Sequence, residues 1–246
     1  MGDASKKKPG QGSHGKKYAD AQAKIDSAKA YGVDDAFNLL GQIAFAKFDE
    51  TVDVSFNLGV DPKHAEQMVR GALVLPHGIG KVTRVAVLAK GDKAREATEA
   101  GADFVGSDDL IEKIQGGWMD FDKMIATPDM MVAVSKIGKL LGPRGLMPNP
   151  KLGTVTFEVT KAIKEQKLGK AEYRTEKTGI VHVGIGKKSF GTEKLRDNFL
   201  AIASALIKAK PPTSKGTYLK NITLSTTMSP GIKMDSAEVL NATGLG

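Results

Sequence analysis

The chain lacks several residues on which common protein chemistries depend. Its 246 residues include no cysteine, one tryptophan and four histidines. The absence of cysteine excludes disulfides and thiol catalysis, and it fits a cytosolic protein. No apolar run approaches the roughly 18 residues that would cross a bilayer, so we expect no membrane partner. The residues after Met1 also lack the apolar segment that a secretory signal peptide contains.

Sequence motifs for metal, nucleotide and nucleophilic sites are missing as well. The histidines are not paired at metal-ligand spacing, and neither HExxH nor GxSxG occurs. Gly78, Gly80 and Lys81 resemble part of a phosphate-binding loop, but its first glycine and the hydroxyl residue after the lysine are absent. We therefore expect no metal, no cofactor and no enzymatic activity, and we favour a binding function.

Positive charge is what the chain has in excess. Its formal net charge is +8 and its pI is about 9.4, which indicates an acidic partner. Residues 157–246 carry fifteen Lys or Arg against eight Asp or Glu, and residues 1–17 carry five Lys against one Asp. We predict that residues 1–17 form a disordered basic arm. A solvated extension and an arm that assists RNA binding are both open interpretations.

The N-terminal part, after the arm, has the pattern of helices around one strand. Helices are predicted near Tyr18, from Val33, and after Asp61, where Pro62 would occupy the first helical position. Thr51–Leu58 alternates between apolar and polar residues, which predicts a half-buried strand.

The hydrophobic pattern of the middle part predicts a parallel sheet. Strands are predicted at 84–89, 104–106 and 124–127, each followed by a helix, the last running from Pro128 to Leu141. Three strand–helix repeats favour a Rossmann-like α/β unit with right-handed crossovers.

The C-terminal part returns to a mixture of helices and antiparallel strands. The predicted elements are a strand at 154–159, a helix ending at Gly169, a hairpin of 171–175 with 180–184, a helix from Thr192 to Pro211, and a strand at 218–225. Neither strand-bearing flank could bury a sheet alone. We therefore predict two domains, an α+β domain formed discontinuously by residues 18–70 and 157–246, and an inserted α/β domain of residues 71–156. The two crossing connections would form a hinge.

The segment Lys136–Val155, KIGKLLGPRGLMPNPKLGTV, predicts an ordered and rigid basic loop that follows a helix. It combines three prolines and four glycines with four Lys or Arg. Proline fixes φ, glycine permits close backbone approach, and the cations can contact phosphates. A purely structural crossover between domains is the alternative. We name Lys139, Arg144 and Lys151 as candidate contacts to tRNA or as hinge-loop residues.

Two further segments combine residue types that suit RNA. Leu224–Gly231 places hydroxyls and a methionine at the end of a strand, where they could bind ribose and phosphate. Lys47–Thr51 groups a cation, the ring of Phe48 and a hydroxyl before a strand. Tyr173, Arg174 and Lys177 form a similar group. An ordinary strand-to-turn junction and a core phenylalanine are the alternative interpretations.

These segments occur in an order that resembles the ribosomal large-subunit protein L1 family, in its bacterial form. The similarity covers roughly residues 20–235 and rests on four blocks, KFDETVDVSFNLGVDPKHAEQMVRGALVLPHGIGK, KIGKLLGPRGLMPNPKLGTVT, RTEKTGIVHVGIGKKSF and STTMSPG. The resemblance implies the same two domains, with the discontinuous one binding rRNA. The chain departs from the family at Ser229, where glycine is usual. If a positive φ is required there, serine would cost about 1 kcal/mol.

The resemblance also implies a function and a set of binding residues. It implies a structural constituent of the large (50S) ribosomal subunit, located in the cytoplasm, that binds the stalk region of 23S rRNA together with other 50S components. It further implies help in releasing deacylated tRNA from the E site and repression of the protein's own mRNA. The rRNA-binding residues that it implies are Lys47, Phe48, Glu50, Thr51, Tyr173, Arg174, Lys177, Thr226, Thr227, Met228 and Ser229. A nucleotide-dependent α/β enzyme and a nonspecific basic nucleic-acid binder remain the alternatives.

Overall fold

The structure, a computed structural model, describes residues 15–244, so most of the predicted basic arm lies outside the described residues. The helices are α1 (Lys16–Ala23), α2 (Val33–Ile43), α3 (Asp92–Glu99), α4 (Asp108–Gln115), α5 (Met131–Lys136), α6 (Gly138–Leu141), α7 (Val159–Gly169), α8 (Thr192–Lys208) and α9 (Ser236–Ala242). The strands are β1 (Thr51–Leu58), β2 (Arg70–Val74), β3 (Val85–Leu88), β4 (Phe104–Gly106), β5 (Lys123–Ala126), β6 (Lys170–Arg174), β7 (Ile180–Lys187), β8 (Leu219–Thr226) and β9 (Ile232–Met234). Within the described range, no helix is both long and apolar enough to span a membrane.

A four-stranded antiparallel sheet has the order β7-β1-β8-β9. Val54 of β1 pairs with Val183 of β7 and with Leu224 of β8, so an early strand lies between two late ones. The apolar face of this sheet packs with α2 and α8, where the ring of Phe56 stacks on Phe199 at 5.9 Å between centroids. The alternation predicted for Thr51–Leu58 is confirmed, because every second residue of β1 is buried.

A three-stranded parallel sheet has the order β4-β3-β5. All four residues of β3 are buried, because apolar clusters cover both faces. Ile114 of α4 and Val134 of α5 belong to one cluster, and Ala97 of α3 and Ile163 of α7 belong to the other. The predicted parallel strands alternating with helices are therefore confirmed, and the fold as a whole is a mixed α/β structure with several sheets.

The two chain connections between these sheets lie side by side. Strand β2 pairs antiparallel with β6, with Gly71 opposite Tyr173, and the amide of Leu75 donates to the carbonyl of Gly169 at 3.5 Å. Gly169 has a φ of +97°, and a Cβ atom there would lie 2.7 Å from the amide nitrogen of Ile79. The lack of a side chain at Gly169 thus permits the two connections to touch.

Two element predictions in the flanks are wrong. No α-helix begins at Pro62, because the Asp61 carboxylate accepts from the amide of Lys63 at 3.0 Å and forms a turn. A short 3-10 helix, Ala65–Gln67, follows this turn, and then comes β2, which was not predicted. Residues 154–159 are not a strand, since Val155 makes a single parallel bridge with Ala126 and α7 begins at Val159.

Two other predictions are correct only in part. Strands β6 and β7 follow each other as expected, but they belong to different sheets and share one bridge, between Thr175 and Val181. The helix predicted from Pro128 to Leu141 is present but interrupted at Ile137, between α5 and α6. Strand β9 and helix α9 were not predicted.

Candidate nucleic-acid interface

The start of β1 and the end of β8 meet at one edge of the four-stranded sheet because these strands are antiparallel. The amide of Thr51 donates to the Thr227 hydroxyl at 3.2 Å. The large side chains of Phe48 and Met228 flank this junction and are 55% and 50% exposed. We call the surface formed by Lys47, Phe48, Thr51, Thr227, Met228 and Ser229 the strand-end surface. It brings together two segments that are far apart in sequence.

A buried carboxylate holds the two halves of the strand-end surface in place. Glu50 is completely buried, and its two oxygens accept from the amide of Ala46 at 2.8 Å and from the amide of Met228 at 3.1 Å. Burial alone would raise the pKa of Glu50, but these amides and the neighbouring Thr226 outweigh burial and lower it. Glu50 was predicted as an rRNA contact. The structure instead places it below the surface, where it fixes both loops.

The hydroxyl of Thr226 has unused hydrogen-bonding capacity. The residue is 4% exposed, and its Oγ1 has no hydrogen-bond partner among residues 15–244. The hydroxyl is close enough to Glu50 to lower the pKa of that carboxyl, but the two groups do not meet at hydrogen-bond geometry. Buried polar groups without partners are rare in folded proteins. Thr226 therefore lies directly below the strand-end surface, with its O–H donor facing Glu50 and its acceptor lone pairs unused by residues 15–244.

Residues at the end of β7 complete this region, and the sequence interpretation missed them. Lys187 Nζ donates to the Thr51 hydroxyl at 2.8 Å, and Lys188 Nζ donates to the Ala44 carbonyl at 2.8 Å. The Ser189 hydroxyl donates to Asp49 at 2.7 Å, which is the main reason why the pKa of Asp49 is lowered. Two adjacent lysines at a strand end were a signal in the sequence, but only the register with β1 shows what they contact.

The condition under which Ser229 would carry a conformational cost, a positive φ, is not met. Among the described residues only glycines have a positive φ, so the serine has an ordinary backbone conformation. Its hydroxyl accepts from the amide of Thr226 at 3.0 Å and donates to the carbonyl of Pro230 at 3.3 Å. The cost of about 1 kcal/mol that a positive φ would carry therefore does not arise, and the side chain stabilises the turn.

Tyr173, Arg174 and Lys177 do not join the strand-end surface. Because β7 runs antiparallel to β1, the turn that contains Lys177 lies at the opposite end of the sheet, roughly 25 Å away along an eight-residue strand. Arg174 and Lys177 are exposed there. Tyr173 is 8% exposed in the main core, and burial raises the pKa of its hydroxyl. The structure therefore places Tyr173 in the core, and its contact with rRNA stays a prediction.

The Gly- and Pro-rich loop after α6 is ordered by its own hydrogen bonds. The amide of Leu146 donates to the carbonyl of Leu141 at 3.1 Å, and the Asn149 side chain accepts from the amide of Lys151 at 2.9 Å. No acidic residue occurs between Asp129 and Glu158. The three candidate cations, Lys139, Arg144 and Lys151, are exposed and form no ion pair within the described range.

Comparison with known proteins supplies the family. Residues 40–230 match the model of the ribosomal protein L1p/L10e family, which is more than half of the chain. The chain belongs to this family. It is 58% identical over 230 residues to the large ribosomal subunit protein uL1 of Bdellovibrio bacteriovorus, an alignment that covers 94% of this chain and 98% of that protein. It is therefore a ribosomal protein, of a family that is structural rather than enzymatic and that functions in the cytoplasm of bacteria.

The loop that resembles a phosphate-binding motif is engaged within this family member. The Gly78 carbonyl accepts from the side chain of Asn198 at 2.9 Å, and Lys81 Nζ forms an ion pair with Asp122 at 2.7 Å. In residues 15–244, no group of three or more His, Asp or Glu could hold a metal ion.

Proposed function

We propose that the chain binds the stalk region of 23S rRNA in the large subunit through the strand-end surface. The observation that carries this proposal is the pairing of two exposed large side chains, Phe48 and Met228, on loops that the buried Glu50 holds rigid. A ring can stack on a base, and a thioether can pack on a sugar. The nearby cations Lys47, Lys187 and Lys188 add attraction to phosphates.

The hydroxyls of this surface support recognition of RNA in particular. Thr227 is exposed, and the buried Thr226 has an unpaired hydroxyl below it. The ribose 2′-OH is both a donor and an acceptor and is the group by which proteins distinguish RNA from DNA. Because the loops are already held in place, binding would require little ordering of the protein, which favours affinity.

The test is binding of the folded rRNA stalk fragment by wild type and by Thr227→Val/Met228→Ala, with excess tRNA and random duplex as competitors. We expect tight, competitor-resistant binding by wild type and a loss of about 2 kcal/mol, roughly 30-fold, in the variant. The matched control is Thr213→Val/Val132→Ala, which removes an exposed hydroxyl and exposed apolar atoms elsewhere. Binding that competitors abolish would instead identify a nonspecific basic binder. Equal losses in both variants would contradict the choice of surface.

We also propose that the two sheets belong to two domains, a discontinuous α+β domain and an inserted Rossmann-like α/β domain. The buried residues of the main core lie within 21–75 and 171–239, and those of the clusters around the parallel sheet lie within 85–163. Val159 and Ile163 of α7 pack on the parallel sheet. This packing supports a return of the chain to the α+β domain near Gly169, rather than at residue 157. Calorimetry tests the division. Two thermal transitions are expected, and a single cooperative one would contradict it.

We propose a second RNA contact, between E-site tRNA and the three cations of the rigid loop, that helps deacylated tRNA leave. The support is the absence of acidic residues from 130 to 157 and the lack of ion pairs on Lys139, Arg144 and Lys151. Ribosomes that carry Arg144→Gln/Lys151→Gln should release deacylated tRNA more slowly while retaining the protein. Lys24→Gln/Lys29→Gln is the control, and equal release rates in all three would contradict the contact.

We propose finally that the strand-end surface binds the protein's own mRNA and represses its translation. If one surface binds both the mRNA and the rRNA, the two RNAs must compete for it. A reporter translated from the mRNA leader should therefore be repressed by wild type, relieved by added rRNA fragment, and not repressed by Thr227→Val/Met228→Ala. Repression that persists in a variant unable to bind the rRNA fragment would show that a different surface is used.

A further inference from the structure

The four-stranded sheet has a polar face that is separate from its core face. In β1 the residues between the buried ones are Thr51, Asp53, Ser55 and Asn57, and none of them belongs to an apolar cluster of the described residues. The side chains opposite them on β7, β8 and β9 are polar as well, apart from Ile180 and Gly184. We call this side of the sheet the polar face.

The strand register arranges the polar face in rows. Ser55 pairs with His182 on β7 and with Thr223 on β8, and Thr223 in turn pairs with Lys233 on β9. These four side chains therefore form one row across all four strands, spaced by roughly 5 Å. The Ser55 hydroxyl and the Nδ1 atom of His182 are 2.8 Å apart, and Lys233 at the end of the row is exposed.

The chemistry of the polar face suits a sugar–phosphate backbone. The hydroxyls of Thr223 and Ser225 have no hydrogen-bond partner in the described part of the chain. Asp53 is the only carboxylate in the four strands, whereas Lys187 and Lys233 supply cations on this face. Hydroxyls without partners and a local excess of cations are groups that bind ribose and phosphate oxygens.

The polar face also connects two regions that were described separately. Thr51, at one end, belongs to the strand-end surface, and the turn with Lys177 lies beyond the other end, next to Asn57. Both regions carry exposed cations, Lys47 at the strand end and Arg174 and Lys177 beyond the opposite end. Only the polar face lies between them along β1.

We infer that the polar face is itself an RNA-binding surface, which carries the RNA backbone from the strand-end surface across the His182–Ser55–Thr223–Lys233 row toward Arg174 and Lys177. This inference rests on the proposed rRNA-binding function and extends its site. The occupant is the same RNA molecule that binds at the strand end, and the row contacts its sugars and phosphates rather than its bases. The contact therefore adds affinity without sequence preference.

The test measures binding of the folded rRNA stalk fragment by Lys233→Glu and Thr223→Val. Lys233→Glu should weaken binding at least tenfold and should reduce the steepness of the salt dependence by about one phosphate contact. Thr223→Val keeps the shape and the strand preference but loses the hydroxyl, and it should weaken binding by about threefold or more without a change in salt dependence. The control is Lys194→Glu, a charge reversal at an exposed position of α8, on the other side of the sheet.

Two outcomes separate this inference from the proposed function. If Lys233→Glu binds as well as Lys194→Glu while Thr227→Val/Met228→Ala loses binding, the polar face is not an RNA surface and the proposed function stands. If the strand-end variant also binds normally, both fail. A benzophenone side chain at position 233 identifies the occupant directly. Cross-linked RNA supports the inference, and cross-links only to protein overturn it.

Discussion

At the scale of single residues, Asp53 has the most informative environment. It lies half-buried on the polar face, where burial raises the pKa of its carboxyl although His182 and Lys187 partly oppose the effect. A carboxyl with a raised folded pKa favours the folded state when protonated. It therefore lowers stability as the pH rises from the ordinary value of 3.8 through the folded pKa. At neutral pH, ionised Asp53 destabilises the protein.

Asp53→Asn should therefore raise the urea midpoint at pH 7, and the gain should disappear at pH 3, where wild-type Asp53 is protonated. Asp20→Asn removes an exposed carboxylate of α1 and serves as the control. A variant that is less stable than wild type at pH 7 would show that Lys187 compensates Asp53 fully.

The residue types of the candidate site could be predicted from the sequence, but their burial could not. Phe48, Thr227 and Met228 are exposed as a binding surface requires. The complete burial of Glu50 depends on two loops closing over it, and no local pattern encodes that closure. Tyr173 is different, because its burial could be predicted. Ala171 and Tyr173 lie two residues apart in β6, so they point to the same face, and that spacing is typical of core positions in a strand.

At the scale of elements, Asn198 links three of them. It is fully buried in α8, its Oδ1 accepts from the amide of His77 at 3.1 Å, and its Nδ2 donates to the carbonyls of Gly78 and Ile185. The connection after β2 is thereby attached to both the helix and β7. An apolar residue at this position would leave the buried Ile185 carbonyl and two part-buried groups, the His77 amide and the Gly78 carbonyl, without these partners, each at a cost of about 1 kcal/mol or more.

Asn198→Leu should lower the free energy of unfolding by about 3 kcal/mol or more and speed hydrogen exchange at the amide of His77. The neighbouring Asp197→Asn alters only an exposed contact to His77, at 3.0 Å, and should change stability by less than about 1 kcal/mol. Similar losses in the two variants would mean that the hydrogen bonds of Asn198 are not what holds the connection.

Elements with a strong internal period were predictable, and elements that depend on a distant partner were not. The alternation of Thr51–Leu58 and the apolar stripe of α8 specify those elements locally. Strand β2, RGALV, has no alternation, and its residues are all half-buried because it pairs with β6 alone. The turn at Asp61 uses the same side-chain acceptor as a helix N-cap, so the two are alike in sequence.

At the scale of the whole molecule, Gly169 controls how closely the two connections approach. Its φ of +97° disfavours any side chain, and an added Cβ would lie 2.7 Å from the Ile79 amide nitrogen and 2.8 Å from the Gly78 Cα. Gly216 has a similar φ of +79° but open space around it. Alanine substitutions at Gly169 and Gly216 therefore separate the cost of a positive φ from the cost of contact between the two connections.

Gly216→Ala should cost about 1 kcal/mol, from the positive φ alone. Gly169→Ala should cost at least twice as much, because backbone atoms of the other connection must also move. Chemical denaturation measures both values. Equal costs would show that the two connections can separate freely at this point.

The central position of β1 has a consequence for the order in which the nascent chain can fold. Its partners β7 and β8 are synthesised up to about 170 residues later, so at roughly 5–20 residues per second β1 waits on the order of ten seconds or more for both neighbours. Strands β3, β4 and β5, by contrast, are complete by Ala126. During that interval both edges of β1 are unpaired and open to wrong partners. Each new copy of the protein thus emerges from a ribosome with the strand that organises its own sheet still unprotected.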